Sequence, residues 1–159
     1  MLTSLIEKTE QEIGEWILES YQRKNFSPII HDRYDESLEM AVGRFYVPLD
    51  EKIKNRFKKG LALAIRGCQD RTLYPSLVWM VSEFDSAEEG IIAATEVIID
   101  ANIGRQDMDQ IISIIMNTNT PHTIEFLRQV LRKGKVGSSL AGLLLVRMYE
   151  LDPENIGTN

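Results

Sequence analysis

Residues 50–67 read DEKIKNRFKKGLALAIRG, and this stretch decides the fold class. Asp50 is a typical helix N-cap residue, because its short side chain can accept a hydrogen bond from a free amide of the first turn. After it, apolar residues recur every three or four positions, which is the period of one face of an α-helix. These apolar positions are Ile53, Phe57, Leu61, Ala64 and Ile65. The stretch predicts an amphipathic helix that begins at Asp50 and ends near Gly67.

The same kind of start recurs twice further along the chain. Ser86 opens the capping box Ser86-Ala87-Glu88-Glu89, and Thr120 is followed by Pro121, which suits the first position of a helix. The three starts are 36 and 34 residues apart, which is the length of a helix pair with two short turns. The chain therefore reads as a succession of helix pairs, and no strand is needed to explain it.

Similar signals predict the remaining helix boundaries. Ser4 and Glu7 are the ends of a capping box, which predicts a first helix from about Ser4 to Arg23. Ser27-Pro28 and Asp35 predict further starts, and Pro48 ends that region, because proline lacks an amide donor.

Two later helices are expected to begin at Asp107 and Ser138, and Asp152-Pro153 stops the last one. We expect one domain over residues 1–152, with residues 153–159 as a frayed tail.

The succession of helix pairs resembles the HEAT, armadillo and tetratricopeptide class of repeat proteins in period and layout. This resemblance implies an all-α fold of about seven to nine helices, stacked as antiparallel pairs in a short α-solenoid. An orthogonal helical bundle is the alternative that the same helix pattern leaves open.

Two further residue types carry packing information. Glycines within helical patterns cost about 1 kcal/mol each relative to alanine, so we expect some of them to permit close helix crossings. They lie at positions 14, 43, 60, 90 and 142. Trp16 and Trp79 occur at helical spacing among aliphatic residues, and we expect both in the core.

The environment of the protein is indicated by its cysteine content and its apolar runs. The single cysteine, Cys68, cannot form an internal disulfide, and the first residues lack the basic start and apolar stretch of a secretory signal. The longest apolar run, Leu140–Val146, is far shorter than the roughly 20 residues that span a bilayer. We expect a cytoplasmic protein with no membrane partner.

Charge is segregated along the chain. Residues 51–75 carry seven bases and two acids, whereas residues 76–127 carry one base and nine acids, and the net charge is -6. The basic segment is a candidate anion-binding surface formed by Lys52, Lys54, Arg56, Lys58, Lys59, Arg66 and Arg71. The acidic segment is a candidate surface for a basic partner, formed by Glu83, Asp85, Glu88, Glu89, Glu96, Asp107 and Asp109.

No pattern typical of a catalytic or metal site is present. His31-Asp32 lacks the preceding histidine that His-Asp phosphohydrolases use as a metal ligand, and His122 is the only other histidine. Cys68 has no recognisable histidine partner in the sequence for nucleophilic catalysis. We therefore predict no catalytic residue, no metal and no cofactor.

These observations favour a non-catalytic module that binds another protein, such as a small acidic inhibitor, an immunity protein or an adaptor with a basic partner. The alternative is a nucleic-acid accessory protein that binds through residues 52–71, although the acidic net charge opposes general nucleic-acid affinity. A homodimer is a further expectation, because the last helix of a stack leaves an apolar end. The residues expected there are Leu140, Leu143, Leu144, Val146 and Met148.

Overall fold

The computed structural model describes residues 7–22, 50–83 and 88–156 of the 159-residue chain. Within these ranges every regular element is helical, which confirms the all-α prediction. Seven helices have ten or more residues: α1 Glu10–Gln22, α2 Glu51–Gly67, α3 Tyr74–Glu83, α4 Glu88–Val97, α5 Arg105–Met116, α6 Pro121–Arg132 and α7 Ser138–Leu151. A 3-10 turn, Arg71–Leu73, precedes α3, and a four-residue helix, α8 (Pro153–Ile156), follows α7.

The helices form two layers. The first layer contains α1, α2, α4 and α6 in that order, and the second contains α3, α5 and α7. Neighbours within a layer run parallel, because contacts join matching ends: Glu88 pairs with His122 at the start of α4 and α6, and Asp100 pairs with Lys133 just after them. Successive helices from α2 onward alternate between the layers, as stacked helix pairs require. Membership of a known repeat class stays a prediction.

Two of the predicted helix starts are confirmed in atomic detail. The Asp50 carboxylate accepts a hydrogen bond from the Ile53 amide at 3.0 Å, which satisfies one free donor of the first turn of α2. Thr120 and Thr123 cap α6 reciprocally, each hydroxyl accepting from the other residue's amide, with Pro121 at the first helical position. Ser86 lies outside the described residues.

The first helix was predicted from about Ser4 to Arg23, but Lys8 and Thr9 are not helical and the described helix α1 runs from Glu10 to Gln22; Ser4 and Arg23 lie outside the described residues. Thr9 and Glu12 form the cap: the Glu12 amide donates to Thr9 Oγ1 at 3.2 Å, and the Thr9 amide donates to the Glu12 carboxylate at 3.0 Å. Thr9-x-x-Glu12 carries the same sequence pattern as Ser4-x-x-Glu7 and caps α1.

The start predicted at Asp107 was wrong, because α5 begins at Arg105, whereas α7 begins at Ser138 as predicted. Gly104 and Gly137 occupy the N-cap positions of α5 and α7 in extended conformation, and neither cap has a side-chain hydrogen bond. Glycine is tolerated at an N-cap without a capping side chain, so each helix extends back to it. Asp107 then lies in the first turn of α5, where a carboxylate is favoured by the helix dipole.

Some predictions fall on parts of the chain that are not described. The starts at Ser27-Pro28 and Asp35 and the stop at Pro48 lie outside the described residues. Within the expected frayed tail, Pro153–Ile156 forms the helix α8, which contacts α7.

Three helix-interior glycines lie at close helix contacts, as predicted. A Cβ atom on Gly14 would lie 2.8 Å from the Gly60 carbonyl oxygen, and one on Gly60 would lie 2.8 Å from the Glu10 carbonyl oxygen. A Cβ atom on Gly90 of α4 would lie 2.5 Å from a methyl group of Val81 in α3. The backbones of α1 and α2 therefore approach each other at a distance that only glycine allows. Gly142 differs, because a Cβ atom added to it would have no described atom within 4 Å.

The core lies between the layers and includes Ile13 and Ile17 of α1, Phe57 and Leu61 of α2, and Phe126 of α6, all buried. Each of these residues lies on the apolar face that the helical period predicts.

The α1–α2 contact predicts that two glycine-to-alanine substitutions on α2 change the free energy of unfolding by different amounts. Gly60→Ala should lower the free energy of unfolding by about 1–3 kcal/mol, because the new methyl group meets backbone and must push α1 away. Gly67→Ala is the matched control on the same helix, since its Cβ would meet only Leu18 Cδ1 at 3.9 Å, an ordinary contact. Urea unfolding followed by circular dichroism measures both variants, and equal midpoints would contradict the close approach.

Candidate interaction surfaces

A bidentate ion pair joins the basic segment to the acidic one. Arg66 of α2 donates to both carboxylate oxygens of Glu96 in α4, at 2.8 and 3.3 Å. This hydrogen-bonded pairing lowers the pKa of Glu96 and raises that of Arg66. Both side chains are partly exposed, so the pair fixes the geometry between α2 and α4 more than it adds stability.

Other cations of the basic segment also contact neighbouring parts of the fold. Lys59 Nζ lies 3.8 Å from the Glu10 carboxylate of α1, and Arg56 donates to the Lys8 carbonyl at 3.0 Å. Arg71 donates to the Asn102 carbonyl at 3.3 Å, and Lys54 Nζ lies 4.0 Å from Glu51 on its own helix. The remaining two, Lys52 and Lys58, lie on the same helix α2. Most of the predicted anion-binding residues therefore contact other parts of the same chain.

The acidic residues of α4 are interleaved with these cations. Glu88 lies 3.2 Å from His122 Nε2 of α6, and Glu96 is held by Arg66. Glu89 lines a small cavity together with Lys59 and Arg66. The acids of one sequence segment and the bases of the other therefore lie side by side along α4.

Three predicted acidic residues lie on the second layer instead. Glu83 is exposed at the end of α3, while Asp107 and Asp109 are half-buried near the start of α5. The Asp109 Oδ1 atom is buried and has no hydrogen-bond partner among the described residues. Asp85 lies outside the described residues, so the structure brings only part of the predicted acidic set together.

A groove runs between α3 and α5, with a volume of about 250 Å³. Its lining side chains are uncharged: Trp79, Ser82, Gln110, Ser113, Ile114 and Asn117. Ser82 donates to the Trp79 carbonyl at 2.8 Å, and Asn117 donates to the Ser113 carbonyl at 2.9 Å, so both polar walls are fixed by their own helices. Trp79 is only partly buried, which corrects its predicted place in the core; Trp16 is also partly buried, but it packs against the core.

Carboxylates flank this groove. Glu83 lies one turn beyond Trp79 on α3, and Asp107 lies one turn before Gln110 on α5. Residues three or four positions apart share a helix face, and α3 and α5 run parallel, so the two carboxylates flank opposite ends of the groove. The sequence showed both acids but could not show that the tryptophan lies between them.

The outer face of α7 is apolar. Its exposed side chains are Leu143, Leu145, Val146 and Tyr149, with exposed fractions of 61, 48, 58 and 58%. Leu144 and Met148 face the core, and Leu140 is partly buried. The residues predicted at the apolar end of the stack thus divide between the core and this surface.

Cys68 is buried at the end of α2, where its thiol donates to the Asp70 carbonyl at 3.1 Å. Burial raises the pKa of the thiol from 9.0 to about 11, which is the opposite of nucleophile activation. Within the described ranges no three His, Cys, Asp or Glu side chains are placed to hold a metal ion. His31 lies outside them.

None of the helices in the described part of the chain is long and apolar enough to cross a membrane. Comparison with known proteins returned no match to a protein family, to a curated protein or to a solved structure. Function is therefore inferred below from the surfaces themselves.

The buried thiol predicts slow alkylation in the folded state. At pH 8 the pKa shift alone should reduce the thiolate fraction, and hence the iodoacetamide rate, about a hundred-fold relative to the urea-unfolded chain. Because the pKa is raised on folding, the stability contributed by the neutral thiol is present below pH 9 and is lost as the pH rises towards 11. Mass spectrometry of the alkylated protein measures the rate, and equal folded and unfolded rates would contradict the burial.

Proposed function

We propose that the protein is a non-catalytic interaction module whose α3/α5 groove binds a basic segment of another protein. The observation that supports this proposal is the partly exposed Trp79 in the groove, with Glu83 one helix turn beyond it on α3 and Asp107 one turn before Gln110 on α5. A partly exposed tryptophan in a groove offers a large apolar surface, and tryptophan is among the residues that contribute most to protein–protein affinity.

The groove chemistry defines the partner segment. An apolar side chain of the partner packs on Trp79 and Ile114, while lysine or arginine side chains on either side face Glu83 and Asp107. Because the walls at Ser82 and Asn117 are uncharged, an apolar side chain of the partner enters the groove without burying a charge of the lining. Complementary charge at the two ends accelerates association and aligns the segment along the groove.

This partner chemistry suits a small acidic inhibitor, an immunity protein or an adaptor, all of which bind a basic partner. The three roles differ in what the partner does once it is bound. Their common requirement is a basic segment with an apolar anchor, and that requirement can be tested without knowing the partner.

The alternative, nucleic-acid binding through residues 52–71, has less support from the geometry. Arg66 and Lys59 face carboxylates, and Arg56 and Arg71 donate to backbone carbonyls. Phosphate binding would have to displace these contacts. Titration of labelled RNA and DNA at roughly 50 mM salt tests this alternative, because a phosphate site binds most strongly at low salt.

A fluorescence titration tests the groove directly. The chain has two tryptophans, so Trp16→Phe leaves Trp79 as the single tryptophan. Tryptophan emission of this variant then reports on the groove alone. A peptide of alternating leucine and lysine turns should shift this emission, whereas a leucine and glutamate peptide of equal length should not. An identical response to the two peptides, or no response to either, would contradict the proposal.

The flanking carboxylates should control affinity. Glu83→Gln combined with Asp107→Asn should weaken binding of the leucine and lysine peptide roughly tenfold at low salt, since two attractive charges are lost. Glu15→Gln combined with Glu125→Gln is the matched control, because it removes the same charge from α1 and α6, outside the groove. Isothermal titration calorimetry at two salt concentrations measures both variants. Equal losses in the two double variants would indicate a general charge effect and would refute the site.

A further inference from the structure

The outer face of α7 is unlike the rest of the described surface. Four of the five large apolar side chains that are exposed in the described chain lie on this one helix. They are Leu143, Leu145, Val146 and Tyr149. In the second layer α5 contacts α3 on one side and α7 on the other, and α7 is the last long helix of the described chain. An apolar surface of this kind on a terminal helix marks an interaction site.

Gly142 gives independent evidence that another helix approaches this face. Gly14, Gly60 and Gly90 each lie inside a helix at a point where a neighbouring element leaves no room for a Cβ atom. Gly142 also lies inside a helix, yet no described atom comes within 4 Å of the place a Cβ would take. A mid-helix glycine costs about 1 kcal/mol relative to alanine, and no close contact in the described part of the chain offsets this cost.

The charges at the two ends of α7 indicate which surface covers the face. Glu150 and Glu154 are exposed at its C-terminal end, where carboxylates interact unfavourably with the helix dipole, and Glu150 lies 3.7 Å from Arg147 on the same helix. Arg132 and Lys135 precede its N-terminal end, Arg132 exposed and Lys135 half-buried. Between the two ends the exposed residues are uncharged. The surface is therefore acidic at one end, basic at the other and apolar in the middle.

We propose that α7 packs antiparallel against α7 of a second copy of the chain, about a two-fold axis at the level of Leu144. In this arrangement Gly142 lies beside Val146 of the partner subunit, and Glu150 lies beside Ser138 of the partner subunit. Glu154 then faces Arg132 and Lys135 of the partner subunit. The 14 residues of α7 span about 21 Å, which is the length of the paired stretch.

A second copy fits this face better than an unrelated protein. Reversing the direction of α7 exchanges its acidic and basic ends, so the surface is its own complement under a two-fold rotation. A uniformly basic partner would be repelled at the Arg132 end, and a uniformly acidic one at the Glu150 end. The acidic groove residues lie on other helices, away from the contact.

Sedimentation velocity of the full chain measures the oligomeric state. The wild type should sediment at twice the chain mass of 18.2 kDa at micromolar concentration. Val146→Glu should shift it to the mass of a single chain, because it buries a carboxylate at the contact. Leu63→Glu is the matched control, since Leu63 is a 40% exposed leucine on α2 and its substitution should leave the dimer intact. A wild type that stays monomeric even at high micromolar concentration, or a Val146→Glu variant that stays dimeric, would overturn the proposal.

A charge exchange tests whether the charged ends of α7 meet across the contact. Glu150→Lys with Glu154→Lys, and separately Arg132→Glu with Lys135→Glu, should each weaken the homodimer at low salt. An equimolar mixture of these two double variants should form a heterodimer, because each acidic end then meets a basic one. Failure of the mixture to associate would overturn the two-fold geometry. Peptide binding in the α3/α5 groove is measured separately, so the two proposals can fail independently.

Discussion

The contact between α1 and α2 at Gly14 and Gly60 is the constraint on which the first layer depends. A Cβ atom on either glycine would lie 2.8 Å from a backbone oxygen of the opposite helix, so the two backbones are as close as side-chain-free residues allow. α2 in turn packs extensively against α4, and α4 against α6. The position of α2 therefore determines where the rest of the layer lies, and the second layer follows because its helices alternate with those of the first.

Ion pairs repeat along this layer and explain the charge distribution of the sequence. Ion pairs of Glu10 with Lys59, Arg66 with Glu96 and Asp100 with Lys133 join one helix of the layer to the next, and Glu88 contacts His122 between α4 and α6. Exposed pairs of this kind add little stability individually, but they favour one register between parallel helices. The first layer pairs many of its own charges within the chain. The α3/α5 groove and the outer face of α7 are therefore the surfaces on which we propose binding to other molecules.

The local features of the fold were predictable from the sequence, whereas the surfaces were not. The start of α2 at Asp50 and of α6 at Thr120 followed from capping chemistry, which involves neighbouring residues only. The start of α5 was misplaced, because Gly104 precedes that helix without a side-chain signal. The pairing of Arg66 with Glu96 and the exposure of Trp79 depend on how helices 30 or more residues apart meet. Helical periodicity carries no information about those contacts. From the sequence alone, the basic segment and the acidic segment were therefore predicted as two separate candidate binding surfaces.

The position of α5 connects the two proposed surfaces. It contacts α3 on the side of the groove and α7 on the side of the apolar face, so the groove lies one helix away from the proposed dimer contact. A dimer formed through α7 therefore carries two grooves held at a fixed separation by packed helices. A partner with two basic segments, or a partner that is itself dimeric, would engage both grooves, and its second binding event would be intramolecular. Two weak contacts at Trp79 would then give strong binding without any further contact in either groove, provided that the spacing of the partner's segments matches that of the grooves.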